Sequence, residues 1–189
     1  CGAGTGDGTK ELSGGYVLRL DGSMSYIIPD NIFNEGIYPN VKSFAYNEDF
    51  ILVYQLPSKE LIKLFLSQDI RRRFNVLVNV QDTATLSKED YDLMKSSLLA
   101  DSSFYRMLSK ELSPNNTTED RLKTQAIAQQ IIDTSFYYQT MVNSEANYWI
   151  INHMDGKKYG PLSKDLFSMK AKELGVPDDL KQEFEEYVK

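Results

Sequence analysis

The stretch Asn147-Tyr148-Trp149-Ile150-Ile151-Asn152 places four large apolar side chains in succession. On a β-strand, Tyr148 and Ile150 would point to one side, and Trp149 and Ile151 to the other. Strands that are apolar on both sides are typical of sheet interiors, where both faces are covered. This stretch is therefore predicted to be a central strand.

Hairpin signals occur around this strand and near the start of the chain. Asp155-Gly156 is a turn pair, and Lys157 to Tyr159 predicts a return strand before Gly160-Pro161-Leu162 leaves the sheet. Further alternating or apolar runs bounded by turn residues occur at residues 16–28, 41–46 and 50–56. The ends of the chain are thus predicted to supply a sheet of short strands.

Residues 58–145 have helical periodicity instead. Suitable N-cap residues begin its helices: Ser58, Ser87, and either Thr117 or Thr118. The last of these helices is predicted to bury one face, formed by Leu122, Ala126, Ile127 and Ile131. Ser163 is the predicted N-cap of a later helix over residues 164–174, which has an apolar face of Leu166, Phe167, Ala171 and Leu174. A short acidic helix over residues 178–188 follows it.

These elements predict an α+β fold, in which a mostly antiparallel sheet of short strands and hairpins packs on helices. The order has no βαβ rhythm, which argues against a parallel sheet. We expect a single domain over residues 15–189, with residues 58–145 as a helical insertion.

Composition restricts the function. The chain has 189 residues, of which 41% are hydrophobic and 25% charged, and its net charge is −6. No segment is strongly basic, which argues against nucleic acid as a partner. The apolar runs are shorter than the roughly 20 residues that a membrane-spanning helix needs.

The only cysteine is Cys1, and glycine occupies every second position from Gly2 to Gly8. This pattern predicts the mature end of a bacterial lipoprotein, whose cysteine carries acyl chains that hold it to a membrane. The alternative is a chain boundary that falls at a cysteine by chance. In the lipoprotein interpretation, residues 1–14 are the lipidated cysteine and a flexible Gly-rich tether. The protein would then lie in the cell envelope, on the periplasmic or cell-surface side.

No catalytic set is evident from residue types and spacing. His153 is the only histidine, and it is interpreted as a surface residue beside a turn, because neither a nucleophile nor an orienting partner can be assigned to it. A metal site usually draws on several Cys or His residues, and this chain has one of each. We therefore assign no catalytic residue, no metal and no cofactor.

Aromatic residues are the remaining candidates for ligand binding. Trp149 and Tyr148 in the central strand, and Tyr137 and Tyr138 before it, have rings on which a sugar or a peptide could stack. The alternative is that all four are core residues.

Four short stretches carry a resemblance to a known family: Phe50-Ile51-Leu52, Tyr148-Trp149-Ile150-Ile151, Lys158-Tyr159-Gly160-Pro161-Leu162, and Lys172-Glu173-Leu174-Gly175-Val176, the last preceded by Phe167. Together with Cys1, they resemble a family of small bacterial lipoproteins known only as a domain of unknown function. The resemblance covers residues 15–57 and 146–176. It implies a membrane-anchored envelope protein and carries over no activity. Asp82-Thr83-Ala84 also resembles the O-glycosylation site of exported proteins in one bacterial phylum, with Thr83 as the acceptor.

Three functions follow as hypotheses. The first is a non-enzymatic binding module that is anchored through lipid on Cys1 and presents its domain to another envelope protein or a small ligand. The second is an inhibitor or immunity lipoprotein acting against a toxin or hydrolase. The third is a cell-wall hydrolase that uses two carboxylates within roughly 5–10 Å of each other in a cleft.

Overall fold

The computed structural model describes residues 8–22, 24–29, 36–78, 87–88, 91–92, 95–96, 102–115 and 117–188. The chain divides into two compact units. The first unit comprises Cys1–Ile62 and Phe136–Lys189, and the second comprises Lys63–Ser135. Antiparallel sheets together with helices make the fold α+β, which confirms the predicted class.

A three-stranded antiparallel sheet occupies the start of the first unit. Its strands, in spatial order, are β1 (Gly8–Glu11), β2 (Tyr16–Asp21) and β3 (Met24–Pro29). The predicted hairpin of β2 and β3 is present, with Asp21 opposite Met24 across the turn.

The tether predicted over residues 2–14 is wrong for residues 8–11, because these form β1. Gly8 lies opposite Leu20, and Glu11 opposite Val17. Strand pairing satisfies backbone N–H and C=O groups whatever the side chains are, so a segment with few apolar residues can still join a sheet. Gly14 and Gly15, with φ of 60° and 73°, make the connecting turn in the left-handed region that glycine adopts readily.

A four-stranded antiparallel sheet forms the centre of the first unit. Its strands, in spatial order, are β4 (Val41–Tyr46), β5 (Phe50–Gln55), β6 (Asn147–Asn152) and β7 (Lys157–Leu162). Strands β5 and β6 pair along their full length, from Phe50 opposite Asn152 to Gln55 opposite Asn147. Every residue of β6 is buried, which confirms the predicted central strand.

Strand β7 extends further than predicted. Gly160, Pro161 and Leu162 stay in the sheet, with Leu162 opposite Tyr148, after a register shift between Tyr148 and Ile150. The prediction that these residues leave the sheet is therefore wrong. Strand β7 is an edge strand, and a proline is tolerated at an edge because the lost N–H need not pair.

The main core of the first unit lies between this sheet and two helices, α5 (Lys164–Glu173) and α6 (Asp178–Tyr187). Residues from the sheet and the helices form one buried cluster: Ala45, Phe50, Leu52, Tyr148, Ile150, Phe167, Ala171, Val176, Leu180 and Phe184. Ser163 caps α5 as predicted, because its side chain accepts a hydrogen bond from the Leu166 N–H. A shorter helix, α4 (Phe136–Asn143), precedes β6.

The apolar face predicted for α5 is only partly correct. Phe167 and Ala171, four residues apart, are buried, whereas Leu166 is 53% exposed. Adjacent helical residues point about 100° apart, so Leu166 is turned away from the side on which Phe167 packs.

The second unit is helical. Its elements are most of α1 (Lys59–Leu77), then α2 (Ser102–Glu111) and α3 (Thr118–Thr134). Ser58 caps α1 as predicted, its Oγ accepting from the Leu61 N–H at 3.4 Å. For the helix predicted after Ser87, Tyr91 N–H donates to Ser87 O at 3.0 Å, and most of the remainder lies outside the described residues.

The apolar face predicted for α3 is only partly correct. Thr117 forms a capping box with Asp120, and the buried side chains are Asp120, Thr124, Ile127, Ala128 and Ile132. Ile127 is therefore buried as predicted, whereas Leu122 is 63% exposed. The buried face begins with two polar residues, which apolar periodicity alone could not indicate. In the part of the chain that the structure describes, no helix has both the length and the apolar character needed to cross a membrane.

Candidate functional site

Two of the predicted modification positions cannot be placed. Cys1 and Thr83 both lie outside the described residues. The candidates for ligand binding are described, and they fall on two opposite faces of β6.

Three of the four aromatic candidates come together on one face. The rings of Tyr137 and Tyr138, on α4, are 5.2 Å apart between centroids, and the Tyr137 ring is 6.5 Å from that of Trp149. Tyr138 extends the group through its hydroxyl, which lies 3.0 Å from the hydroxyl of Tyr38. Tyr148 is on the opposite face, with its ring 5.4 Å from that of Phe167 in the main core.

Trp149 has no exposed ring face on which a ligand could stack. Its side chain is fully buried, and the Lys158 ammonium lies 5.2 Å from the ring centroid, in the position of a cation–π contact. The backbone of Gly160 covers the indole as well, since a Cβ there would lie 2.4 Å from Trp149 Cε3. The indole packs as a core residue, and Lys158 takes the place that a cationic ligand would need.

A buried polar network holds this cluster in position. The Gln55 side-chain carbonyl accepts from the Trp149 indole N–H at 3.1 Å and from Asn147 Nδ2 at 3.3 Å. Gln55 Nε2 donates to the backbone oxygens of Tyr38 and Pro39, at 2.8 and 3.2 Å. The network joins β5, β6 and the segment before β4. A buried polar group costs free energy unless it is hydrogen-bonded, so this set favours one arrangement of those three elements.

His153 has a partner that sequence reasoning missed. Its Nε2 lies 2.9 Å from Ser13 Oγ. Gly14, in the turn between β1 and β2, packs against the imidazole. A serine beside a histidine is the start of a nucleophile–base pair, which also needs an orienting group on Nδ1. Here Nδ1 faces Gly14, where a Cβ would approach it to 2.1 Å. The hydrogen bond therefore joins two turns and does not form part of a catalytic set, and no sequence signal links positions 140 residues apart.

The exposed side of α5 is the other feature that the sequence did not indicate. Leu166 and Met169, one helical turn apart, are 53% and 68% exposed. Separately, an open groove of about 590 Å³ runs between α5 and α6, lined on the α5 side by Phe167, Ser168 and Lys172 and by neither Leu166 nor Met169. Lys172 and Glu185 are among the residues along its walls, which therefore carry charges of both signs.

The groove carries an ion pair with an effect on acidity. Lys181 Nζ lies 2.6 Å from Asp178 Oδ1, and this hydrogen bond and charge hold the pKa of the Asp178 carboxyl below its usual range. Among the described residues, no three of His, Cys, Asp and Glu are grouped so that they could hold a metal ion.

No protein-family model, no curated protein and no solved structure matches this chain. The resemblance to a family of small lipoproteins therefore stays a prediction.

Proposed function

We propose that this chain is a bacterial envelope lipoprotein, held to a membrane by lipid on Cys1, that binds another envelope protein through the exposed side of α5. The binding surface is defined by the exposed side chains of Leu166 and Met169 on α5, and is called the α5 surface below.

The observation that supports this binding role is the exposure of two large apolar side chains on one helical turn. Burying both against a partner would contribute about 1.5–3 kcal/mol, taking half of the full burial value for each. Asp165 and Glu173 flank them on α5, and Lys172 borders the groove. An apolar centre with a charged rim is the usual anatomy of a protein–protein contact. Glu173 is already paired with Lys170, whose Nζ lies 2.6 Å from Glu173 Oε2. The expected partner surface is therefore apolar at its centre, with a basic group opposite Asp165.

The anchor is supported by the sequence around the sole cysteine. Gly2, Gly4 and Gly6 follow Cys1 at alternate positions, and a Gly-rich composition is typical of linkers. Two or more acyl chains suffice for stable membrane attachment. Attachment to one bilayer raises the effective concentration of a partner in the same membrane, so a modest α5 surface could still bind.

Asp178, in the groove, does not suit the general-acid role of a carboxylate-dependent hydrolase. A general acid needs a raised pKa near the working pH, and the ion pair with Lys181 lowers the pKa of Asp178 instead.

The test places a photo-crosslinking residue at position 169 or at position 154 of the full chain in intact cells. Met154 is a matched control, since it is 66% exposed, against 68% for Met169, and lies in the turn between β6 and β7. We expect one stoichiometric adduct from position 169 and none from position 154, and its loss when Leu166→Asp is added. Equal adducts from both positions, or none from either, would refute the α5 surface.

The anchor is tested separately by fractionation of Cys1→Ser beside the parent chain. We expect the parent in the membrane fraction and Cys1→Ser in the soluble fraction. If the two forms divide equally between the membrane and soluble fractions, the anchor is excluded, and the proposal for the α5 surface is unaffected. If the captured protein is a toxin or a cell-wall hydrolase that loses activity on binding, the role is that of an inhibitor.

A further inference from the structure

His153 joins three turns of the first unit. Its imidazole meets the β1–β2 turn through Ser13 Oγ, at 2.9 Å from Nε2, and through the backbone of Gly14. The ring of Tyr16, the first residue of β2, lies 5.8 Å from it between centroids. The His153 backbone N–H donates to Asp49 O at 2.8 Å, in the β4–β5 turn. His153 itself lies in the turn after β6.

The surroundings of the imidazole favour its neutral form. Partial burial lowers the pKa of His153, and the Asp49 carboxylate offsets part of that effect. Asp49 and Tyr16 are the titratable groups that the described structure places against the ring, while Ser13 and Gly14 bring no charge. The neutral ring also offers an unprotonated nitrogen, to which the Ser13 hydroxyl can donate.

We propose that Ser13, Gly14, Tyr16 and His153 form a pH-sensitive latch that holds the β1–β2 hairpin in place at neutral pH and loosens it in mild acid. Cys1 is not one of these four residues, so the latch does not depend on the lipid proposed at Cys1.

The direction follows from proton linkage. With the latch open, the imidazole titrates near pH ~6.5, and with the latch closed its pKa is lower. Between these two values the open state binds more protons than the closed one, so the free energy of opening falls as the pH falls. The full stabilisation of the closed latch is present above the open-state value.

The position of β1 at the edge of its sheet would let the β1–β2 hairpin respond to loosening of the latch. Strand β1 pairs with β2 alone among the described strands. Besides that ladder, β1 is attached by the turn at Ser13 and Gly14 and by the Lys10 ammonium, which lies over the rings of Phe44 and Tyr46. Release of β1 would expose the edge of β2 that β1 covers, and an uncovered edge is able to pair with another strand.

The test is amide hydrogen exchange of the full chain, expressed as protection factors so that the intrinsic pH dependence cancels. We compare the parent with His153→Gln, whose amide can still bond to Ser13 but carries no charge at any pH. From about pH 7.5 to about pH 5.5, we expect protection of Thr9–Glu11 to fall about threefold or more in the parent and less than about 1.5-fold in His153→Gln. Strand β4 is the internal control and should not change in either form.

Equal loss of protection in both proteins, or no loss in the parent, would overturn the latch. Should His153→Gln fail to fold, NMR titration of the sole histidine in the parent decides the matter. We expect its pKa in the folded chain to lie below the value in urea, and the amide shifts of residues 12–16 to titrate with it. A folded value at or above the value in urea, or amide shifts that do not follow it, would refute the proposal.

Discussion

Replacing Gly160 by alanine should be one of the most damaging single-methyl changes in the first unit. Its φ of 142° is a backbone conformation that L residues rarely adopt, which costs about 1–3 kcal/mol for a residue with a Cβ. The added Cβ would also lie 2.4 Å from Trp149 Cε3 and 2.9 Å from Tyr148 O. The indole is fully buried and cannot move aside freely, so overpacking adds about 1–3 kcal/mol.

We therefore expect Gly160→Ala to lower the free energy of unfolding by about 4 kcal/mol. Gly156→Ala is the matched control, because Gly156 also has a positive φ, of 66°, but a Cβ there meets nothing within 4 Å. Its expected cost is the backbone effect alone, about 1–2 kcal/mol.

The assay is urea unfolding followed by tryptophan fluorescence, since Trp149 is the only tryptophan and reports on the core of the first unit. A Gly160→Ala protein no less stable than Gly156→Ala would show that the indole yields to the new methyl group. The close packing of Gly160 on Trp149 would then not constrain β7.

Four further outcomes are expected. Thr117→Ala removes the α3 cap and should cost about 1 kcal/mol. Hydrogen bonds from Ser113 and Thr117 hold the pKa of Asp120 far below its usual range. The ionised Asp120 therefore stabilises the second unit at pH values above the ordinary pKa of an aspartate, and this stabilisation should fade as the pH falls below about 4. Circular dichroism at a series of pH values measures the loss. Leu122→Ser should change the free energy of unfolding by less than about 0.5 kcal/mol, whereas Ile132→Ala should lower it by about 2–5 kcal/mol. If thermal melts show Leu122→Ser to be the more destabilising change, α3 buries the other face. Gln55→Leu leaves the buried indole N–H without its acceptor and should cost about 2–4 kcal/mol in the same urea assay.

The class of fold was accessible from the sequence because it depends on local patterns. The apolar run of β6 marks a central strand wherever its neighbours come from, and Ser58, Thr117 and Ser163 mark helix starts through bonds within three residues. These signals involve neighbouring residues, and the structure confirms them.

The missed features depend on distant parts of the chain. Strand β1 forms because β2 is available beside it, although its own residues are mostly polar and exposed. Likewise, Ser13 meets His153 only after both sheets are in place. No pattern within either segment contains that information.

The α5 surface was missed for a third reason. Leu166 precedes Phe167 and Met169 follows it two residues later, so all three fit an apolar helix in the sequence. The direction from which the helix approaches the sheet decides which side of the helix is buried. The buried side is the one that carries Phe167 and Ala171. An apolar residue left outside on such a helix is visible only in three dimensions.

The pairing of β5 with β6 has a consequence for how the protein is made. Phe50 lies opposite Asn152, and Gln55 opposite Asn147, so the intervening chain, including the second unit, is synthesised before this ladder can close. Contacts of such long sequence separation form slowly, because a large loop must be closed first. During synthesis or export, β4 and β5 can pair with each other, but the other edge of β5 has no partner until residues 147–152 emerge. A chaperone that binds apolar strands would find its target at Phe50–Gln55 during that interval.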